Sequence, residues 1–115
     1  MNPTPHVLAH IGFARAQQDA EWGQQDHCDG TGPDHLVFDT LAASLAAHYA
    51  RQIRHRNTEM GIVTWRDIFS DVACTALATA DPAQLRTALV NTAALTVAWI
   101  EAIDRRTNPT QTKER

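Results

Sequence analysis

The chain has no long apolar run, few aromatic residues, two cysteines and no basic excess, and each shortage closes off a class of protein. Nowhere in its 115 residues do 18 apolar ones occur together, so no membrane-spanning helix is expected. The opening stretch MNPTPHVLAHIGFARAQQDAEW lacks a basic n-region and an unbroken apolar core, and does not read as a secretory leader. Ten basic residues against 13 acidic ones leave a formal charge of -3. Nucleic-acid and anionic-membrane surfaces need Lys and Arg in excess on one face, so neither partner is expected. Cys28 and Cys74 stand 46 positions apart with no CxxC, which suits a reducing cytosol better than secretion. The expectation is a soluble, cytoplasmic protein.

Only seven residues are aromatic (three Phe, three Trp, one Tyr), and much of the 43% hydrophobic content is alanine. Helices built this way carry thin apolar stripes with little area to bury, and a second copy of the chain would remedy that. No strand-period segment and no repeat is present, so the expected class is all-α with four main helices in an antiparallel bundle. Residues 1–106 read as one domain and 107–115 as a polar, disordered tail.

Thr4-Pro5 reads as a cap followed by proline, opening a helix to Trp22 with Val7, Ile11, Ala14 and Gln18 at helical spacing. Gly23 to Asp34, GQQDHCDGTGPD, holds three glycines and a proline in twelve residues and reads as a long loop. Asp34 is placed to cap a second helix carrying Val37, Leu41, Leu45, His48 and Gln52 and ending near Arg56-Asn57. Thr64 with Asp67 forms an acidic capping box for a third helix to about Thr79, and Asp81-Pro82 starts a fourth that runs to about Arg106. The short link ATADPAQ turns the third and fourth helices antiparallel, so Asp71, Val72 and Thr75 can face Ala88 and Asn91.

Three segments carry a resemblance: RAQQDAEWGQQDHCDGTGP at Arg15 to Pro33, TWRDI at Thr64 to Ile68, and DPAQLRTALV with AWIEAIDRR between Asp81 and Arg106. Together they cover about two thirds of the chain, and in them it resembles the MazG-like proteins of the all-α nucleoside triphosphate pyrophosphohydrolase superfamily. The resemblance implies a helical bundle completed as a homodimer or a tetramer of dimers. It also implies a Mg2+ ion held by acids on two helices, and release of pyrophosphate from a nucleoside triphosphate. Acids at i and i+3 or i+4 share a helix face, which is what lets two such helices hold a divalent ion. By the same resemblance Gln18, Asp19, Trp22, His27, Trp65, Arg66, Thr75 and Asn91 are the ligand-binding positions, and Asp71 is the catalytic and metal position, with Asn91 beside it.

The departure lies in the acids. Where the family pattern asks for carboxylates, the chain has Asp71, then Val72, Thr75, Ala88 and Asn91. The expectation is therefore a homologue without its catalysis, binding a nucleotide or other small ligand in the helical cavity. The alternatives are an active Mg2+-dependent hydrolase or a metal-independent reaction in the same pocket.

Other groupings have plainer readings beside the chemical ones. Arg51, Arg54, His55 and Arg56 form a local basic cluster, read as a solvated helix end or as a hold for a phosphate-bearing small molecule. His27, Cys28, Asp29 and His35 are the right types for a transition metal but match no standard spacing, so a hydrogen-bonded loop is the default. His48, Gln52 and His55 share a helix face as a polar stripe, and Trp22, Trp65 and Trp99 are assigned to core packing.

Overall fold

Four helices carry the chain in a computed structural model that describes residues 2–107. They are α1 (Thr4–Trp22), α2 (Ala43–Glu59), α3 (Trp65–Leu77) and α4 (Pro82–Thr107). A small hairpin of β1 (Leu36–Val37) and β2 (Leu41–Ala42) precedes α2. The all-α architecture expected from the periodicity is present, and no described helix is long and apolar enough to cross a membrane. Of the expected polar tail, Thr107 ends α4 and positions 108–115 lie outside the described residues.

Chain contacts divide into two compact units, one holding α1 and α4 from Thr96 onward, the other running from Asp29 to Leu95. In the first unit, α1 starts one residue earlier than expected. Pro3 occupies the cap position without a side-chain bond, and the Thr4 hydroxyl donates instead to Glu101 Oε2 at 2.6 Å. A hydroxyl-to-carboxylate bond is stronger than a neutral cap bond, and Asn2 Oδ1 already accepts from the Thr4 backbone N–H. At the other end Gly23 takes φ 69° and donates its N–H to the Asp19 carbonyl, the left-handed stop that glycine makes without steric cost. Val7 is the buried residue of α1; Ile11 is 39% and Trp22 58% exposed, which corrects the assignment of Trp22 to a core.

The second unit departs from expectation between Asp34 and Ala42. Instead of a helix capped by Asp34, the chain makes a hairpin with Leu36 opposite Ala42 and Val37 opposite Leu41, and α2 begins at Ala43. Phe38 and Asp39 take φ of 57° and 62°, and the Thr40 N–H closes the turn on the Val37 carbonyl at 3.2 Å. Two left-handed residues in succession make the turn that matches strand twist. Val37 and Leu41 misled the periodicity for a geometric reason. A spacing of four stacks two side chains on a helix, and across a three-residue turn it sets them opposite each other in a hairpin.

The interior of this unit is made of small side chains. Ala43, Ala47 and Ala76 are buried, joined by Leu85 and by Asp67. Alanine lets helix backbones approach closely but removes little apolar area from water. The long loop is tied to the end of α3, where the Gly32 N–H donates to the Leu77 carbonyl and the Thr31 hydroxyl to the Thr79 carbonyl. The first bond satisfies a carbonyl that the helix end leaves open, and the second holds the loop to a residue two positions past α3. Gly32 sits at φ 143°, and a Cβ there would meet the His35 ring at 3.0 Å, so the position accepts glycine alone without strain.

Candidate functional site

Thr64 starts α3 as the sequence indicates. Its hydroxyl accepts from the Asp67 N–H at 3.2 Å, and Asp67 Oδ2 accepts from the Thr64 N–H at 3.2 Å. The Asn57 side chain on α2 donates to the same Oδ2 at 2.9 Å. Led by that Asn57 bond, and against the opposing effect of desolvation, the hydrogen bonds and nearby Arg66 hold the Asp67 carboxyl below its ordinary pKa.

One turn further along α3, Asp71 meets two arginines of α2. Arg54 Nη1 donates to Oδ2 at 3.2 Å, and Arg51 Nε lies 3.8 Å from Oδ1. Asn57 faces Asp67 while Arg54 and Arg51 face Asp71, so α2 and α3 run antiparallel. The Asp71 side chain is 14% exposed, against 39% for Arg54 and 62% for Arg51.

A cavity of about 250 Å³ opens beside this pair, lined by Arg51, Asp71, Val72, Thr75, Ala88 and Asn91. The five positions that the metal pattern of the resemblance singles out therefore share one cavity, and α2 adds an arginine to its wall. A second concavity, about 280 Å³, is lined by Arg51, Arg54, His55, Thr58 and Asp71, so Arg51 and Asp71 border both.

The donors at this site do not fit a divalent cation. Both Asp71 oxygens face guanidinium groups, and the Thr75 hydroxyl donates to the Asp71 backbone carbonyl at 2.9 Å. Asn91 supplies only a neutral amide, and among the described residues no three His, Cys, Asp or Glu side chains gather as metal ligands. Magnesium holds to one or two carboxylates beside substrate phosphates, and here it would have to compete with two cations already at the one carboxylate. Each guanidinium about 4 Å from such a doubly charged ion opposes it by roughly 2–8 kcal/mol, depending on how much water screens the pair. Two arginines and one aspartate leave a net positive charge, which suits an anion.

Of the other expected ligand positions, Trp65 and Arg66 belong to the same unit as this cavity and the remaining four to the other unit. Arg66 lines a different cavity of about 420 Å³ with Asp67, Ser70, Tyr49 and Ile53, while Trp65 is half-buried at the start of α3. Gln18, Asp19, Trp22 and His27 belong to the unit that holds α1, and all four are exposed. Asp19 pairs with Arg15 at 3.9 Å, and His27 Nε2 lies 2.7 Å from Gln25 Oε1, whose own amide donates to the Trp22 carbonyl. His27 is thus part of the locally hydrogen-bonded loop that was the default for its segment. His48, Gln52 and His55 lie along an open groove on α2, where His55 pairs with Glu59 at 3.2 Å. Cys74 is part-buried, and burial, followed by the nearby Asp71 charge, raises its thiol pKa, so it is a poor nucleophile.

Sequence reasoning named Arg51 and Arg54 in a local basic cluster, read as a solvated helix end or a hold for a phosphate-bearing small molecule, but did not set them against Asp71. The available signal was their spacing of three on α2, which sets both on one face, together with Asp71 as the lone acid in the middle of α3. No family model, curated protein or solved structure matches the chain.

Proposed function

We propose that the chain is a MazG-like pyrophosphohydrolase homologue that has lost its metal centre and binds a nucleotide or another small ligand in the cavity lined by α2, α3 and α4. The observation that carries this reading is the state of the five metal-pattern positions. They line one cavity, they hold one carboxylate among them, and that carboxylate is paired with Arg51 and Arg54. Such a site keeps a shaped, largely apolar concavity with a few polar groups while lacking the charge that would hold Mg2+ and activate water through it.

The same reading has the protein acting in the cytoplasm as a homodimer or tetramer. In its favour stand the alanine-based interior and exposed apolar side chains such as Tyr49, Ile53, Leu89 and Val90.

The test is release of pyrophosphate from a panel of nucleoside triphosphates with Mg2+, alongside direct measurement of Mg2+ and nucleotide binding. The expected result is nucleotide binding with no metal-dependent turnover, and acquired Mg2+ affinity in the Val72→Glu, Thr75→Glu, Ala88→Glu variant. Robust hydrolysis that disappears in Asp71→Ala would overturn the proposal in favour of an active hydrolase. Failure of the triple variant to gain metal affinity would count against the placement of the acidic pattern.

A further inference from the structure

Resting on that reading of the cavity, we infer that Arg51 and Arg54 take the place of the metal: they bind the phosphate oxygens of the ligand directly, without a divalent cation, and Asp71 competes with the ligand for them. The occupant is accordingly a phosphate-bearing anion, and its phosphate end is what the site holds.

Geometry and charge both lead there. A guanidinium carries five N–H donors in a planar fork suited to phosphate, and the contacts to Asp71 leave most of them unused. Arg54 commits Nη1 to Asp71 Oδ2 at 3.2 Å, whereas Arg51 stands 3.8 Å from Oδ1, an ion-pair separation too long for a hydrogen bond. Arg51 is also the more exposed of the two and borders both concavities, so a ligand entering either one meets its guanidinium. The remaining charges nearby do not cancel the excess. Glu59 Oε1 lies against His55 Nε2 at 3.2 Å, away from the two arginines' contacts with Asp71, and Arg56 donates from its Nε to Asn57 Oδ1 at 3.3 Å.

Asp71 holds the arginines in position when no ligand is present. Its carboxylate is a planar oxyanion that shares their fork, so an incoming phosphate must win the same donors from it. Arg51 and Arg54 both line the concavity of about 280 Å³, and Arg51 alone of the two lines the adjoining cavity of about 250 Å³. Each is smaller than the ~300–1,000 Å³ of typical small-molecule pockets, which limits it to part of a nucleotide. A phosphate held by both arginines therefore sits on the side of Arg51 and Asp71 that Arg54 borders, and Val72 and Ala88 give the 250 Å³ cavity an apolar wall for the atoms next to it.

Calorimetric titration with inorganic pyrophosphate and with ATP, each in EDTA and then with Mg2+, tests this. The expected result is binding in EDTA, weakened by added NaCl, and reduced about 10- to 100-fold in the Arg51→Gln, Arg54→Gln variant, the usual cost of losing charged hydrogen bonds. Arg51→Lys should fall between the two, because it keeps the charge and loses the fork. Asp71→Asn should bind pyrophosphate several-fold more tightly, the opposite of what a metal ligand would do. Circular dichroism establishes that each variant is folded, and the NaCl dependence of the unaltered protein stands independently of any variant. Binding that needs Mg2+ and vanishes in Asp71→Asn would overturn the inference. ATP binding in EDTA that is indifferent to the arginine substitutions would also overturn it while leaving the proposed ligand-binding function intact. No binding of either probe under any condition would sink both.

Discussion

Asp67 and Asp71 are the same residue type one turn apart on one face of α3, and they have been put to different uses. Asp67 is 6% exposed and serves the helix itself, closing the box with Thr64 and accepting from Asn57. Asp71 is more accessible, makes no cap, and faces two arginines beside a cavity. Like charges at i and i+4 repel on an isolated helix. Here α2 compensates both, with an amide for one and guanidinium groups for the other. The difference teaches that a carboxylate's role follows from the partner the neighbouring helix offers more than from its own position.

The contrast can be broken by substitution. Replacing Asp67 with Ala should produce the largest loss of thermal stability of any single change on α3, because it leaves Asn57 and the Thr64 N–H without their acceptor. Asp71→Asn, which keeps a neutral acceptor near solvent-exposed arginines, should cost less than half as much. Thermal melts followed by circular dichroism check the order; equal losses would erase the distinction between the two aspartates. Thr64→Ala should lie between the two, lowering stability by about 1 kcal/mol and the midpoint by about 5 °C, since only the cap is lost.

The smallest effect is an acid limb. Asp67 titrates lower in the folded chain than in the unfolded one, so its contribution is full above the unfolded carboxylate pKa of about 4 and is lost as pH falls through the lowered folded value. Urea unfolding measured from pH 6 down to pH 2.5 should show stability declining below about pH 4. Asp67→Asn should flatten that decline, while a curve unchanged by the substitution would place the sensitivity in other carboxylates.

Much of the fold was legible because its signals are local. Thr64 with Asp67, and Asp81 whose carboxylate accepts from the Gln84 N–H, marked two helix starts to within a residue. Two other local signals failed for stated reasons. Thr4 gave up its capping role to a distant Glu101, and Val37 with Leu41 had a spacing that a hairpin satisfies as well as a helix. The site was half legible. The register that brings Asp71, Val72, Thr75, Ala88 and Asn91 to one cavity could be read from helical spacing and the short link between α3 and α4, but the arginines opposite Asp71 could not.

The sequence by itself determined the starts and caps of α3 and α4 and the scarcity of acids along α3, since these depend on residues within a turn or two of each other. Only the tertiary structure decided what the remaining acid does. The pairing of Asp71 with Arg51 and Arg54 spans 20 and 17 positions, and it exists because α2 and α3 pack antiparallel in a register set by small buried side chains and the Asn57–Asp67 bond. Charge is a property of the residue, whereas the sign of the field at a site is a sum over neighbours that only packing brings together.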